Sequence, residues 1–346
     1  MTKSIHKRLG RPISILPTKQ RLAYSPRTDL AIEAREMMVG KPAPIEGLDE
    51  SEEHLEGITI TRVHVKTKVA ERKIGKKKGQ YITLEAPGLR RRDPDLQERV
   101  TEAFANELKS LIQLPERASI LVIGLGNRDV TPDALGPQVV QKLFVTRHLF
   151  HYMPQILGDG KGYRSVSAVA PGVLGITGIE TSEIVQGLVE NMRPDAVIVI
   201  DALAARSLSR VNSTIQIADS GIQPGAGVGN HRKPINQETL GIPVLAIGIP
   251  TVVEAATIAG DTIELVLEEL RRKVPGNAAN AIFDRFNTRE KVDLVREVLT
   301  PVGHNLVVTP KEIDEFLTDM AKVVAQGLNV ALHPAMTLED AALFMH

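Results

Sequence analysis

Short apolar runs alternate along this chain with stretches of helical spacing. Apolar runs predict strands at 119–124, 165–170, 196–200, 214–218 and 243–249. Helical spacing predicts helices at 30–38, 96–114, from about 133, from about 180, and at 251–272, 286–300 and 310–328. Strands that are apolar on both faces are typical of a parallel sheet buried between helices. The pattern therefore predicts an α/β fold with a mostly parallel sheet flanked by helices.

Two segments before this region alternate apolar and polar residues instead. Residues 57–65 and 80–84 have the period of half-buried strands, and a basic, glycine-bounded turn at 75–79 lies between them. They predict a small antiparallel element near 57–84, and a further short strand is predicted at 305–309. Residues 1–29 carry Pro12, Pro17 and Pro26 and little periodicity, which predicts an N-terminal arm ahead of one domain spanning 30–346.

Composition narrows the classes of function. The 42 basic and 42 acidic side chains cancel, so no overall field attracts nucleic acid or a membrane surface. The chain has no cysteine, which excludes disulfides, thiolate nucleophiles and cysteine zinc sites. No apolar run approaches the roughly 18 residues of a membrane span. We therefore expect a cytoplasmic protein with neither nucleic acid nor membrane as a partner.

Two aspartates follow predicted strands. Asp133 lies in the loop after strand 119–124, and Asp201 comes directly after Val197-Ile-Val-Ile200. The carboxyl ends of parallel strands are where ligands collect in open α/β sheets. Two carboxylates that arrive there from different strands can hold and activate a water, so hydrolysis is the leading hypothesis. An alternative is that Thr131-Pro-Asp133 only begins a helix.

Glycine-rich segments provide further candidates. Gly126 and Asn127 follow the first strand, and Gly172 and Gly175 follow the strand at 165–170, where backbone N–H groups could hold an oxyanion. The dinucleotide fingerprint is incomplete, because position 129 is aspartate where a third glycine is required.

Three functional classes remain open at this point. The first is a hydrolase that needs only the two aspartates. The second is a metal-dependent protease in which Asp133, Asp201 and His231 bind a divalent cation, and the third is a non-enzymatic α/β module that binds a peptide or a phosphate.

Long segments of the chain, in order from residue 24 to 255, resemble the spore germination protease family, whose members degrade small acid-soluble spore proteins. These segments are Tyr24-Ser-Pro-Arg-Thr-Asp-Leu-Ala-Ile-Glu-Ala34, Gly75-Lys-Lys-Lys-Gly-Gln-Tyr-Ile-Thr-Leu-Glu85, Val122-Ile-Gly-Leu-Gly-Asn127, Val130-Thr-Pro-Asp-Ala-Leu-Gly-Pro137, Val145-Thr-Arg-His-Leu-Phe150, 172–181, Ile200-Asp-Ala-Leu-Ala-Ala-Arg206, 214–232 and 240–253.

The resemblance implies a fold similar to that of hydrogenase-maturation proteases and a homotetramer in the spore core. It also implies a zymogen that removes its own N-terminal segment. The family's two essential aspartates map by motif onto Asp133 and Asp201. Its acidic–apolar–Ala cleavage sites are similar to Asp29-Leu30-Ala31, which predicts self-cleavage between Asp29 and Leu30. The resemblance adds no cofactor, and a divalent metal stays open.

Overall fold

The computed structural model describes residues 28–38, 45–157, 160–223, 232–273 and 306–344. Nine strands form one mixed sheet within this part of the chain, in the order β1-β2-β3-β7-β8-β6-β4-β5, with β9 paired to β8. The strands are β1 (Leu48–Leu55), β2 (Ile58–Val65), β3 (Gly79–Glu85), β4 (Ser119–Gly124), β5 (Ser165–Val169), β6 (Ala196–Ala205), β7 (Thr214–Ala218), β8 (Val244–Glu254) and β9 (Val307–Val308).

The described residues also form eleven helices, some of which pack on each face of the sheet. They are α1 (Ala31–Met38), α2 (Lys68–Ile74), α3 (Pro94–Leu111), α4 (Leu135–Lys142), α5 (Arg147–Tyr152), α6 (Leu174–Thr177), α7 (Thr181–Met192), α8 (Gln237–Leu240), α9 (Ala255–Lys273), α10 (Ile313–Leu332) and α11 (Leu338–Leu343). Short 3-10 turns lie at Pro87–Arg91, Thr131–Asp133, Pro154–Leu157 and Leu208–Arg210. None of the helices in the described ranges is long and apolar enough to cross a membrane.

Strands β8, β6, β4 and β5 form a parallel half. Along β6, Ile198 and Ile200 join the core that contains α3, α4 and α10, whereas Val197 and Val199 pack with α7 on the other face. Successive side chains of a strand point to opposite faces, so a strand covered on both sides is apolar at every position. The predicted α/β fold, with a sheet flanked by helices, is confirmed.

The antiparallel half is larger than the sequence predicted. Strand β3 pairs antiparallel with β7, and β7 pairs antiparallel with β8, so the predicted element near 57–84 is the continuation of the main sheet. Strand β1 was not predicted because its residues are charged and largely exposed, as is typical of a protected sheet edge. Helix α2 fills the stretch after β2 where only a turn was predicted.

Strands β6 and β8 are longer than their apolar runs. The pairing of β6 with β8 continues from Val197 to Ala205, past the predicted end at 200, while β4 ends its pairing with β6 at Gly124. Strand β8 likewise runs to Glu254, into the stretch predicted to begin a helix at 251. The helix predicted at 310–328 is α10, and the strand predicted at 305–309 is β9; the helix predicted at 286–300 lies outside the described residues.

Candidate active site

Asp201 lies where β6 loses one of its neighbours. Ile200 is the last residue of β6 that pairs with β4, and Asp201 pairs only with Gly248 on the β8 side. The prediction that Asp201 follows the end of a strand is therefore wrong in detail, because the strand continues through it. The side chain of Asp201 is 8% exposed, and its Oδ1 accepts a 2.9 Å hydrogen bond from the Ala202 N–H.

Asp133 reaches the same end of the sheet from the loop after β4. Its Oδ2 accepts a 2.7 Å hydrogen bond from the Asn127 N–H, so the carboxylate is held by its own loop. It does not cap a helix: α4 begins after it, without a side-chain cap. The Thr251 hydroxyl donates to the Pro132 carbonyl oxygen at 2.7 Å, which fixes this loop to β8.

Gly126 is required where this loop passes the Asp133 backbone. Its φ of +110° disfavours other residues, and a Cβ there would lie 1.9 Å from the Asp133 carbonyl oxygen. The glycine thus allows the loop to bring Asp133 close to the end of β4.

The environment raises the pKa of both carboxyl groups. Burial is the main cause of the raised pKa of Asp201, and the negative charges of Asp133 and Asp29 add to it. Burial also raises the pKa of Asp133, while the Asn127 N–H and the positive charge of Arg232 oppose that rise. The two aspartates are therefore close enough to influence each other and differ in how strongly each holds its proton.

A cavity of about 560 Å³ joins the two carboxylates. The polar side chains that line it include Asp29, Lys76, Asp133, Asp201, Gln216 and Arg232. The cavity contains acidic groups that can exchange a proton together with cationic and amide donors, a combination suited to hydrolysing a carbonyl compound.

The predicted oxyanion loops contribute unequally. Gly126 and Gly172 line the cavity, and Gly172 has a φ of +78°. The Asn127 N–H is already bound to Asp133, so it is not a free donor for an oxyanion. Gly175 lies exposed in helix α6 and is not among the lining residues.

Within the described ranges, no group of three or more histidine, aspartate or glutamate side chains is arranged to hold a metal ion. His231, the third ligand of the metal-dependent alternative, lies outside the described residues. Among the described residues that line the cavity, the acidic side chains are Asp29, Asp133 and Asp201, next to the basic side chains of Lys76 and Arg232.

Three lining residues were missed by sequence reasoning. Lys76 belongs to the basic turn predicted at 75–79, and its side-chain nitrogen donates to the carbonyl oxygens of Thr28 and Asp29. Gln216 is one polar residue within the apolar strand β7, which is a signal that could have been used. Arg232 follows the glycine-rich loop and carries no sequence signal of its own.

The predicted processing junction, between Asp29 and Leu30, is packed into the fold. Leu30 and Ala31 have 0% exposure, and Asp29 lines the cavity. The Asp29 N–H donates to the Ala204 carbonyl oxygen at 2.9 Å, and the Ala204 N–H donates to Asp29 Oδ2 at 2.9 Å. The junction lies beside the candidate site because β6 extends beyond β4 and leaves an edge on which residue 29 can pair.

The chain is similar to proteins of one family along nearly all its length. The family model described as germination protease matches residues 29–281 and 277–345. A germination protease of Caldanaerobacter subterraneus is 51% identical over 321 residues, covering 92% of this chain and 98% of that protein. The germination protease of Bacillus subtilis is 46% identical, covering 93% and 97% respectively, and that of Priestia megaterium is 47% identical, covering 93% and 98%.

A solved structure also matches: a [NiFe] hydrogenase maturation protease, HycI, from Thermococcus kodakarensis, with 17% identity and a TM-score of 0.30, covering 64% of this chain and 98% of that one. The relatives are far more similar in sequence to this chain than that structure is, and both they and the family model are described as germination protease. The chain belongs to the germination protease family, and it is a peptidase that acts on protein substrates.

Proposed function

We propose that this chain is an endopeptidase in which Asp133 and Asp201 activate a water, and that it begins the degradation of small acid-soluble spore proteins in the spore core. One observation carries the proposal: two carboxyl groups, one from β6 and one from the loop after β4, line one cavity, and each has a raised pKa. Pairs of carboxyl groups in differing environments are the usual basis for dividing acid and base roles.

The surroundings of the two groups suggest which role each takes. Asp133 is stabilised as a carboxylate by the Asn127 N–H and the charge of Arg232, so it is the general base that takes a proton from water. The Ala202 N–H and Arg232 also lower the pKa of Asp201, but Asp201 is more deeply buried and is influenced by two other carboxylates, so it carries the proton and gives it to the departing amine. Because the two groups are coupled, a titration would report the pair and not either residue alone.

The chain is made as a zymogen, and its first cut falls between Asp29 and Leu30. The support is that Asp29 lies in the same cavity as the two candidate catalytic residues. The junction also has the acidic, apolar and alanine residues that resemble the family's cleavage sites. Cleavage there separates residues 1–29 from the protease domain.

The remaining parts of the proposal rest on the resemblance. The active form is a homotetramer, which light scattering at micromolar concentration would contradict by returning a monomer. The site works without a cofactor. Metal analysis and incubation with a chelator test this, since loss of activity in chelator and its return with a divalent cation would favour the metal-dependent alternative.

Conservative substitution of each aspartate tests the catalytic assignment. Asp133→Asn and Asp201→Asn should fold and lose turnover by about 10²–10⁴, the range for general acid–base groups. Asp129→Asn is the matched control, because Asp129 is exposed in the same loop. Intact mass after incubation at mildly acidic pH should show loss of residues 1–29 in the native protein and in the control only. Cleavage at the native rate in both Asn variants would overturn the aspartate mechanism.

A further inference from the structure

The carbonyl oxygen of Asp29 accepts hydrogen bonds from two side chains. Lys76 Nζ donates to it at 2.8 Å, and Gln216 Nε2 donates to it at 3.2 Å. This oxygen belongs to the peptide bond between Asp29 and Leu30. Both donors line the cavity that holds Asp133 and Asp201.

The end of helix α2 determines the position of Lys76. Helix α2 ends at Ile74 and is capped by Gly75, whose left-handed conformation, with φ of +66°, ends the helix. Lys76 follows directly, and its ammonium group also donates to the Thr28 carbonyl oxygen at 3.1 Å. Burial lowers the pKa of Lys76, while the carboxylates of Asp29 and Glu33 raise it. The side-chain nitrogen of Lys76 is therefore buried and hydrogen-bonded to backbone oxygens.

The glutamine is oriented by a second hydrogen bond. Gln216 is 7% exposed on strand β7, and its Oε1 accepts a 2.6 Å hydrogen bond from the Ala31 N–H. A backbone N–H can only donate, so the amide oxygen must face Ala31 and the amide nitrogen must face the Asp29 carbonyl. The orientation of this donor is thus determined by the chain that it binds.

The segment to be cut is held on both sides of the bond. The Asp29 N–H donates to the Ala204 carbonyl oxygen on the free edge of β6, and the Asp29 carboxylate accepts from the Ala204 N–H. On the other side, the Leu30 N–H donates to Thr28 Oγ1 at 3.0 Å, and the Thr28 hydroxyl donates to buried Glu33. Glu33 also accepts from the N–H groups of Arg206 and Ser207.

We propose that Lys76 and Gln216 form the oxyanion site of this peptidase, first for its own Asp29–Leu30 bond and then for protein substrates that lie on the same edge of β6. This inference rests on the proposed function, because it needs the water activated by Asp133 and Asp201. Lys76 and Gln216, and not the N–H groups of the glycine-rich loops, are then the donors that stabilise the oxyanion.

In this reaction the water oxygen forms a bond to the Asp29 carbonyl carbon as Asp133 takes a proton from the water. The π electron pair of the carbonyl moves to its oxygen, and that oxyanion is held by the N–H groups of Lys76 and Gln216. When the intermediate collapses, the bond to the Leu30 nitrogen breaks and that nitrogen takes the proton of Asp201. The products are a new C-terminal α-carboxyl group on Asp29 and a new N-terminal α-amine on Leu30.

Both donors contact backbone atoms, so the oxyanion site does not depend on the side chain of the residue before the cut. A donor that binds the carbonyl oxygen serves any residue at the position before the cut. The side chain of that residue is read separately: Asp29 Oδ2 accepts from the Ala204 N–H, and the charge of Lys76 counteracts the cost of burying the carboxylate. An acidic residue before the cut is therefore favoured by the same lysine that holds the oxyanion.

The test uses the full chain and measures the first-order rate of self-cleavage by intact mass. Lys76→Met removes the donor and keeps the length of the side chain, and Gln216→Glu removes the donor but keeps an acceptor for the Ala31 N–H. Each should cut about 10²–10³ times more slowly than the native chain, as expected for losing one oxyanion donor. Lys76→Arg keeps a donor and should recover part of the rate, which a purely structural role would not require.

Lys78→Met is the matched control, because Lys78 is exposed on the same loop and does not line the cavity. It should cut at the native rate. Native rates in both Lys76→Met and Gln216→Glu would overturn the proposal, and if Lys76→Met fails to fold, Gln216→Glu decides alone. A native rate in Asp133→Asn and Asp201→Asn, or no cleavage by the native chain of itself and of a peptide of residues 24–35, would instead show that the proposed function is wrong.

Discussion

The parallel and antiparallel halves of the sheet contribute different chemistry to one site. The parallel half, β8-β6-β4-β5, provides Asp201 from β6 and Asp133 from the loop after β4. The antiparallel half, β1-β2-β3-β7, provides Gln216 from β7 and Lys76 from the segment before β3. Acid and base come from one half and the hydrogen-bond donors from the other, so the site depends on the joint between β7 and β8.

The halves also differ in how they bury their residues. In the parallel half both faces are apolar, so a charged side chain such as Asp201 departs visibly from its surroundings. In the antiparallel half burial decreases towards the edge of the sheet: β7 is buried throughout, whereas β1 is almost wholly exposed. Charged residues are ordinary there, and the inward-facing Lys76 is not distinguishable in sequence from its exposed neighbours.

The largest effect is expected at Gly126, where the parallel half forms its loop. Gly126→Ala should lower turnover by at least about 10²-fold, because the new Cβ collides with the Asp133 backbone and moves its carboxylate. Steady-state hydrolysis of a peptide spanning 24–35 measures this effect. Gly175→Ala is the control, since its Cβ would meet no atom within 4 Å. Native activity in Gly126→Ala would show that the position of Asp133 does not limit catalysis.

The next effect is expected at Arg210, which connects the segment after the Asp29–Leu30 bond to strand β3 of the antiparallel half. Arg210 forms ion pairs with Glu36 at 2.6 Å and Glu85 at 2.7 Å and lies 3.5 Å from buried Glu33. Arg210→Met should lower the free energy of unfolding by about 2 kcal/mol, because Glu33, Glu36 and Glu85 lose a positively charged partner while Glu33 keeps its other hydrogen-bond donors. Urea denaturation measures it. An unchanged urea midpoint of unfolding would mean that the other contacts of the segment around Glu33 and Glu36 are enough to hold it in place.

A third prediction concerns the pH dependence of stability that Asp201 produces. Its pKa is raised in the folded state above the unfolded value of about 3.9, so the folded chain binds more protons in that interval. The free energy of unfolding should therefore fall as the pH rises from about 4 through the raised pKa. Asp201→Asn should reduce this fall and be more stable than the native chain at neutral pH. Parallel pH profiles in urea of the two proteins would contradict the buried-carboxyl assignment.

The smallest effect is expected at the edge of the antiparallel half. Arg62 is partly exposed and pairs with Glu53 on β1, at 2.8 Å, and with Glu107 on α3. Arg62→Met should cost about 1 kcal/mol or less, since solvent screens such pairs, and it should leave turnover unchanged. Thermal unfolding and peptide hydrolysis measure both. A large loss of turnover would show that the edge strands influence the site after all.

The sequence by itself determined the parallel half and its aspartates. Continuous apolar runs require burial on both faces, and this was enough to place β4, β6 and β8 and to make Asp133 and Asp201 stand out. The family of the chain was also recognisable, because its motifs are long and occur in order.

Tertiary structure decided the other half of the site. The length of β6 beyond Ile200 depends on its pairing with β8, which no local pattern encodes. The inward direction of Lys76 depends on the turn at Gly75, and the meeting of Asp29 with Ala204 depends on where β4 stops. Apolar periodicity reports which residues leave water, whereas hydrogen bonds between distant segments depend on the relative placement of strands, and only the folded sheet fixes that placement.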